Sequence, residues 1–140
     1  MALYSKIPIV NSERIFFSGH ENGYTIASFK TPLKQIEFVI FELHAVSPPF
    51  KRRRFELKQT ALHILRYNAA NKILIGDFNT APYSPYFKRL QKISGLKNSM
   101  LGHGITGTWP SFLPRPLRIP IDHVLISDQI EILRRDVVFI

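Results

Sequence analysis

Residues 36–44 read Ile36-Glu37-Phe38-Val39-Ile40-Phe41-Glu42-Leu43-His44. From Ile36 to Leu43 the run is nearly all apolar and rich in Phe, Val and Ile, the pattern of a strand buried on both faces. It stops at His44, and Pro48-Pro49 blocks simple continuation. A helix is predicted next, over Arg54 to Asn68. Leu57, Ala61, Ile64, Leu65 and Asn68 recur at helical spacing there, and Glu56, Lys58 and Arg66 suit its wet face. Lys72 to Ile75 is a second short apolar run, closed by Gly76. The middle is therefore strand, helix and strand; if the two strands are parallel neighbours, the crossover is right-handed. Both strands then end at one sheet edge, where open α/β sheets bind ligands. His44 closes the first strand and Asp77 follows the second, so two residues distant in sequence are expected together.

Beyond this unit the chain carries clear punctuation. Ser84 suits an N-cap, Pro85 a first helical position and Gly95 a C-terminal stop, with Tyr86, Leu90 and Ile93 as the apolar stripe between them. A loop should run to Pro120, followed by a strand over Asp122 to Ile126. Two more strands are expected at Ile130–Leu133 and Val137–Ile140. The first 30 residues read as short strands, Tyr24 to Phe29 among them, with turns at Gly19 and Gly23. There is no repeat, low-complexity tract or flexible linker. The Pro-rich stretches at 47–49 and 110–120 are short enough to be loops inside one domain spanning residues 1–140.

Composition narrows the classes. The 140 residues are 45% hydrophobic and 21% charged, an ordinary globular balance that argues against disorder. A net charge of +9 attracts polyanions such as nucleic acid, phosphorylated ligands or anionic lipid headgroups. There is no cysteine, which removes disulfides, thiolate-bound zinc, iron–sulfur clusters and thiol nucleophiles together. Any metal would be a hard one held by oxygen or imidazole. No apolar run approaches the ~18 residues of a membrane span. Met1-Ala2-Leu3-Tyr4-Ser5-Lys6 lacks a signal-peptide pattern, so a cytoplasmic chain is expected.

Gly76-Asp77-Phe78-Asn79 stands where the second strand leaves the sheet. In a continuing extended segment Asp77 and Asn79 would project to one side and Phe78 into the core. A carboxylate there can bind Mg²⁺ or orient water, and an amide can steady a phosphate oxygen without adding negative charge. The competing reading makes both residues turn formers. His44 could hydrogen-bond a phosphate or protonate a leaving oxygen, or be a structural strand-end histidine. Asp122-His123 opens an apolar strand, so the two should face opposite ways, with Asp122 the site candidate. Trp109, in Thr108-Trp109-Pro110, is either a stacking platform or a loop anchor. Lys51-Arg52-Arg53-Arg54 is either solvated surface or a clamp on an anionic substrate, with Arg52 and Arg54 as its candidate binding residues.

Together these pieces resemble the endonuclease/exonuclease/phosphatase superfamily, which has the DNase I-like fold. The matching motifs are Leu43-His44-Ala45-Val46-Ser47-Pro48, Gly76-Asp77-Phe78-Asn79-Thr80 and Ile121-Asp122-His123-Val124-Leu125-Ile126-Ser127, in family order across residues 36–127. Residues 80–87 and the Thr108-Trp109-Pro110 loop resemble a bacterial branch. The resemblance implies a two-sheet α/β sandwich and Mg²⁺- or Mn²⁺-dependent phosphoester hydrolysis, nuclease-like in kind. Carried over, His44 would bond the scissile phosphate or act as acid, and Asp77 would hold the metal or orient the attacking water. Asn79 would bind phosphate, and Asp122 would partner a catalytic histidine. The family's N-terminal Asn and metal-binding Glu are not found ahead of Met1-Ala2-Leu3, and its closing Ser-Asp-His is not found before Ile140. His20, His63, His103 and His123 do not occupy that last motif. The chain therefore reads as an incomplete, C-terminal half of the sandwich, expected to self-associate or pair with a complementary fragment. The alternative is an inactive remnant that binds phosphate or nucleic acid.

Overall fold

Six strands hydrogen-bond into one mixed sheet in the order β1-β2-β3-β4-β6-β5. They are β1 (Ile9–Phe16), β2 (Gly23–Lys30), β3 (Glu37–His44), β4 (Lys72–Asp77), β5 (Lys97–Asn98) and β6 (Asp122–Ile126). The computed structural model describes residues 5–19, 21–31, 37–45 and 50–136. Of the pairings, β3 with β4 is parallel and the other four are antiparallel. Helix α1 (Phe50–Arg66) makes the crossover from β3 to β4, and α2 (Pro85–Ser94) follows β4.

Both helices cover the same face. Val39, Phe41 and Leu43 of β3, Leu74 of β4 and Leu125 of β6 pack in one cluster with Leu57, Ala61 and Ile64 of α1 and Phe87 and Leu90 of α2. The opposite face of β3 carries Phe38, Ile40 and Glu42, which are only half-buried. The expectation of a strand buried on both faces is thereby corrected: among the described residues a helix layer covers one side alone. Ile36 lies outside the described residues.

Helix α1 begins at Phe50, four residues before the sequence expectation, and ends at Arg66. The basic tetrad therefore lies inside its opening turns rather than ahead of it. Cations there oppose the helix dipole by about 0.3–1 kcal/mol each. Burying Leu57 and Ile64 contributes about 1.5–3 kcal/mol apiece, so packing decides the matter. Helix α2 matches its punctuation. The Ser84 hydroxyl accepts from the Phe87 N–H at 3.1 Å, Pro85 opens the helix, and Gly95 adopts φ 72° while its N–H reaches the Gln91 carbonyl.

Other expectations needed correction. Gly23 is not a turn: it starts β2 opposite Phe16, and a Cβ there would sit 2.0 Å from the Ile15 carbonyl oxygen, so the residue serves close strand approach. The turn is at Gly19, with φ 75°. Residues 130–133 form no strand; the Ile130 N–H instead bonds back to the Ser127 carbonyl in a turn. The strand expected at Val137–Ile140 lies outside the described residues. The two-residue β5 has no signal in the sequence, being too short for any period.

Gly76 has φ 141°, and a Cβ on it would lie 1.8 Å from the Leu43 carbonyl oxygen. Gly76→Ala should destabilise by about 3 kcal/mol or more, because rigid backbone must move. Gly19→Ala, with nothing within 4 Å of its Cβ, should cost only about 1 kcal/mol for its φ. Denaturant unfolding of the two variants checks this ordering, and equal losses would contradict it.

Candidate active site at the carboxyl end of the sheet

Three strand ends meet here, and backbone bonds hold them. The Ala45 N–H donates to the Asp77 carbonyl at 2.8 Å, and the Phe78 N–H to the Ile121 carbonyl at 2.9 Å. The Asn79 side-chain amide donates to the Ala45 carbonyl at 2.8 Å. Leu43↔Gly76 and Gly76↔His123 then fall in register on the helix face. The next pairs, His44↔Asp77 and Asp77↔Asp122, fall on the open face. Register partners on neighbouring strands share a face. His44, Asp77 and Asp122 thus form a row across three strands, with Asp77 in the middle.

Asp77 does not continue into an extended Asn79, as the sequence had suggested. Asn79 has φ 48°, and its N–H donates to Asp77 Oδ1 at 2.7 Å. The strand ends in a local Asx turn, which Asn tolerates in the left-handed region. The turn-forming reading of these two residues and their placement at the strand ends hold together. One N–H of the Asn79 amide is taken by Ala45; the amide oxygen and second N–H remain for other partners.

Phe78 is fully buried, as expected, 5.2 Å from the His123 ring and 6.2 Å from Phe87. His123 is 1% exposed, and its Nε2–H donates to the Thr80 carbonyl at 2.7 Å. Burial is the main cause that lowers its pKa, so it packs as a neutral ring beneath the site. Asp122 is exposed on the other face, the division the strand alternation predicted.

Burial, first, and the facing Asp122 carboxylate push the Asp77 carboxyl above its ordinary range. The Asn79 N–H and the charges of His44 and Arg53 pull the other way. Arg53 enters the sequence reading only as a member of the basic tetrad, not as a binding candidate of its own. It is buried, its charge acts on both Asp77 and Tyr86, and its guanidinium lies 4.8 Å from the Phe50 ring. The signal is helical: Arg53, Glu56, Leu57 and Thr60 form one buried stripe in a helix that begins at Phe50 rather than Arg54.

The other candidates lie apart from the row. Arg52 bonds Glu56 at 3.2 Å within α1. Arg54 lies over Tyr86, its guanidinium 4.9 Å from the ring. Trp109 is 56% exposed. Its backbone pairs with Ile119, and the preceding Thr108 hydroxyl accepts from the Ile121 and Asp122 N–H groups at 3.2 and 3.3 Å. The Trp109 loop is thereby tied to the Asp122 end of the row.

Among the described residues no group of three or more His, Asp or Glu side chains converges as a metal cage. Asp77 and Asp122 do face each other as register partners. One or two carboxylates are what Mg²⁺ usually takes from a protein, with water and substrate phosphate completing its shell. The donor set fits a hard divalent cation held partly by its substrate.

The mixed sheet with its helix layer is α/β, and its likeness to solved structures is that of the DNase I-like fold. The sequence profile of the Endonuclease/Exonuclease/phosphatase family matches residues 1–139, and the chain belongs to that family. Among proteins of curated function none matches it in sequence. Solved structures share the fold. A mannosyl-6-phosphatase of Bacteroides thetaiotaomicron is 20% identical at a TM-score of 0.64, over 88% of this chain and 54% of its own. Sphingomyelinase C from Streptomyces griseocarneus is 18% identical at 0.60, over 89% and 51%. The human Nocturnin catalytic domain with bound sulfate is 18% identical at 0.57, over 87% and 48%. The chain spans about half the length of these structures.

The raised pKa of Asp77 sets a stability prediction. A group whose folded pKa is raised contributes stability that is complete below its unfolded pKa and lost as pH rises through the folded one. Asp77→Asn keeps the shape and cannot ionise. At neutral pH it should melt higher than the parent chain, and the difference should close below the ordinary aspartate range. Thermal melts at stepped pH measure this; a variant that melts lower at neutral pH would contradict it.

Proposed function

We propose that this chain carries a phosphoester-hydrolysing site of the metal-assisted kind, nuclease-like in acting on phosphodiesters. One observation carries the reading: His44, Asp77 and Asp122 stand in a single register row, beside an Asn79 locked by its own turn. Family membership supports hydrolysis of a phosphate-containing substrate. The relatives described above include a phosphatase and a sphingomyelinase, which supports the reaction class without choosing the ester.

Asp77 and Asp122 would hold a Mg²⁺ or Mn²⁺ ion. When bound, such an ion supplies charge neutralisation on the phosphate. Asp77 would orient the attacking water. Asn79 would donate its remaining N–H to a non-bridging oxygen, and its turn means no reorganisation is needed as charge develops. His44, exposed at the strand end, would bond or protonate the leaving oxygen. Asp122 would also be the acceptor that orients a histidine.

A second reading is a site that recognises phosphate through His44 and the Asn79 amide. In that reading the row binds phosphate without turning it over. The open sheet face, with Ile40 and Ile73 half-buried and Ile75 37% exposed, supports self-association or pairing with a complementary fragment.

Hydrolysis of bis(p-nitrophenyl) phosphate against the monoester, with Mg²⁺ or Mn²⁺ and with chelator, tests both readings. The proposal expects metal-dependent turnover that prefers the diester. Asp77→Asn should then lose about 10²–10³-fold and His44→Ala about 10²-fold. Turnover unchanged in Asp77→Asn would overturn the assignment. Phosphate binding without turnover would establish the second reading.

A further inference from the structure

On the helix side, α1 and α2 enclose a groove of about 270 Å³ that the sheet-end row does not use. Its walls carry Lys51, Arg54 and Lys58 from α1 and Arg89 from α2, with Phe55 and Tyr86 between them. The spacing is helical on both walls: 51, 54, 55 and 58 on one, 86 and 89 on the other, so each set lies on one helix face. No carboxylate lines the groove. Among the described residues the ion pairs run Arg52–Glu56, Lys97–Asp128 and Arg134–Asp136, and none takes a groove cation. Four like charges have been gathered on two elements with nothing in the described chain to neutralise them.

We propose that this groove binds the sugar–phosphate backbone of a single-stranded nucleic acid. Its reach argues for linked phosphates rather than one. Lys51 and Lys58 are seven residues apart, about 10 Å along the helix axis, more than a lone phosphate can bridge. Its shape favours a strand over a membrane, because the cations line a cleft between two helices rather than one flat face. Its aromatics suit a strand too. Tyr86, already stacked by Arg54, and the partly exposed Phe55 offer ring surfaces to bases or sugars, as single-strand binders do.

Arg53 links the groove to the candidate active site electrostatically. Tyr86 feels the charge of Arg53, and Arg53 that of Asp77. The proposal extends the phosphodiester reading of the row but does not need it, since a strand can be held whether or not it is cut.

The test uses the full 140-residue chain, a fluorescent single-stranded oligonucleotide and chelator to silence hydrolysis. Anisotropy titrations across salt concentrations compare Lys58→Gln/Arg89→Gln with Lys88→Gln/Lys92→Gln, which removes the same charge from exposed α2 positions outside the groove. The groove variant should bind on the order of tenfold more weakly, and its log K against log salt slope should be shallower by about 1.4, or about 0.7 per lost contact. The control should stay within about twofold of the parent, as expected for charges that touch no phosphate. Overlaid thermal melts show that the folds are intact, and the single change Lys58→Glu repeats the test should the double variant not fold. Equal weakening in groove and control variants would overturn the proposal, leaving only diffuse attraction. So would unchanged binding in the groove variant, or Lys58-dependent capture of phosphatidylserine vesicles with no oligonucleotide binding. Small diester turnover, which only the sheet-end row governs, separates failure of this proposal from failure of that one.

Discussion

The close approach of Gly76 to the Leu43 carbonyl is the constraint on which the rest depends. Nothing larger than hydrogen fits on that side of the Gly76 backbone. With it, the parallel β3–β4 ladder runs on to its last rung, and His44 meets Asp77 in register. A slip of one residue would turn every side chain of β4 to the other face. Asp77 would then point among the helices and Phe78 toward solvent. A glycine where the ladder is tightest is therefore as much a part of the site as the carboxylate that follows it.

The core beneath the site does the opposing work. Phe78, Phe87 and the neutral His123 ring pack together on the helix face, and the Thr80 carbonyl holds His123 Nε2. This anchors both residues that flank the polar turn. On the other face burial, first, and the Asp122 carboxylate raise the pKa of Asp77, so its ionised form carries an electrostatic cost. Groups that relieve that strain are a cation, a proton or the guanidinium of Arg53. A shifted carboxyl of this kind accords with the charge-binding role proposed for the row.

Much of this was legible in the sequence where one period or one punctuation mark dominates. The apolar run ending in His44, the Ser84-Pro85 start and Gly95 stop of α2, and the strand over Asp122–Ile126 each rest on local chemistry. The pairing of His44 with Asp77 followed from topology alone. What could not be read depended on tertiary contact. The early start of α1 puts Arg53 and Glu56 on its buried stripe, a placement that their polar residue types conceal. The left-handed Asn79 depends on its bond to Asp77. The groove cations became visible only when two helices distant in sequence were set side by side.

The central proposal is that Asp77 and Asp122, register partners on neighbouring strands, together hold a divalent cation. Carbon-13 NMR of the aspartate carboxyls, titrated with pH in the absence and presence of Mg²⁺, tests it most directly. The account predicts that Asp77 titrates above the ordinary aspartate range without the ion. With Mg²⁺ its midpoint should fall, and the Asp122 resonance should move with it. An Asp77 that titrates ordinarily, and that Mg²⁺ leaves unmoved, would contradict the account.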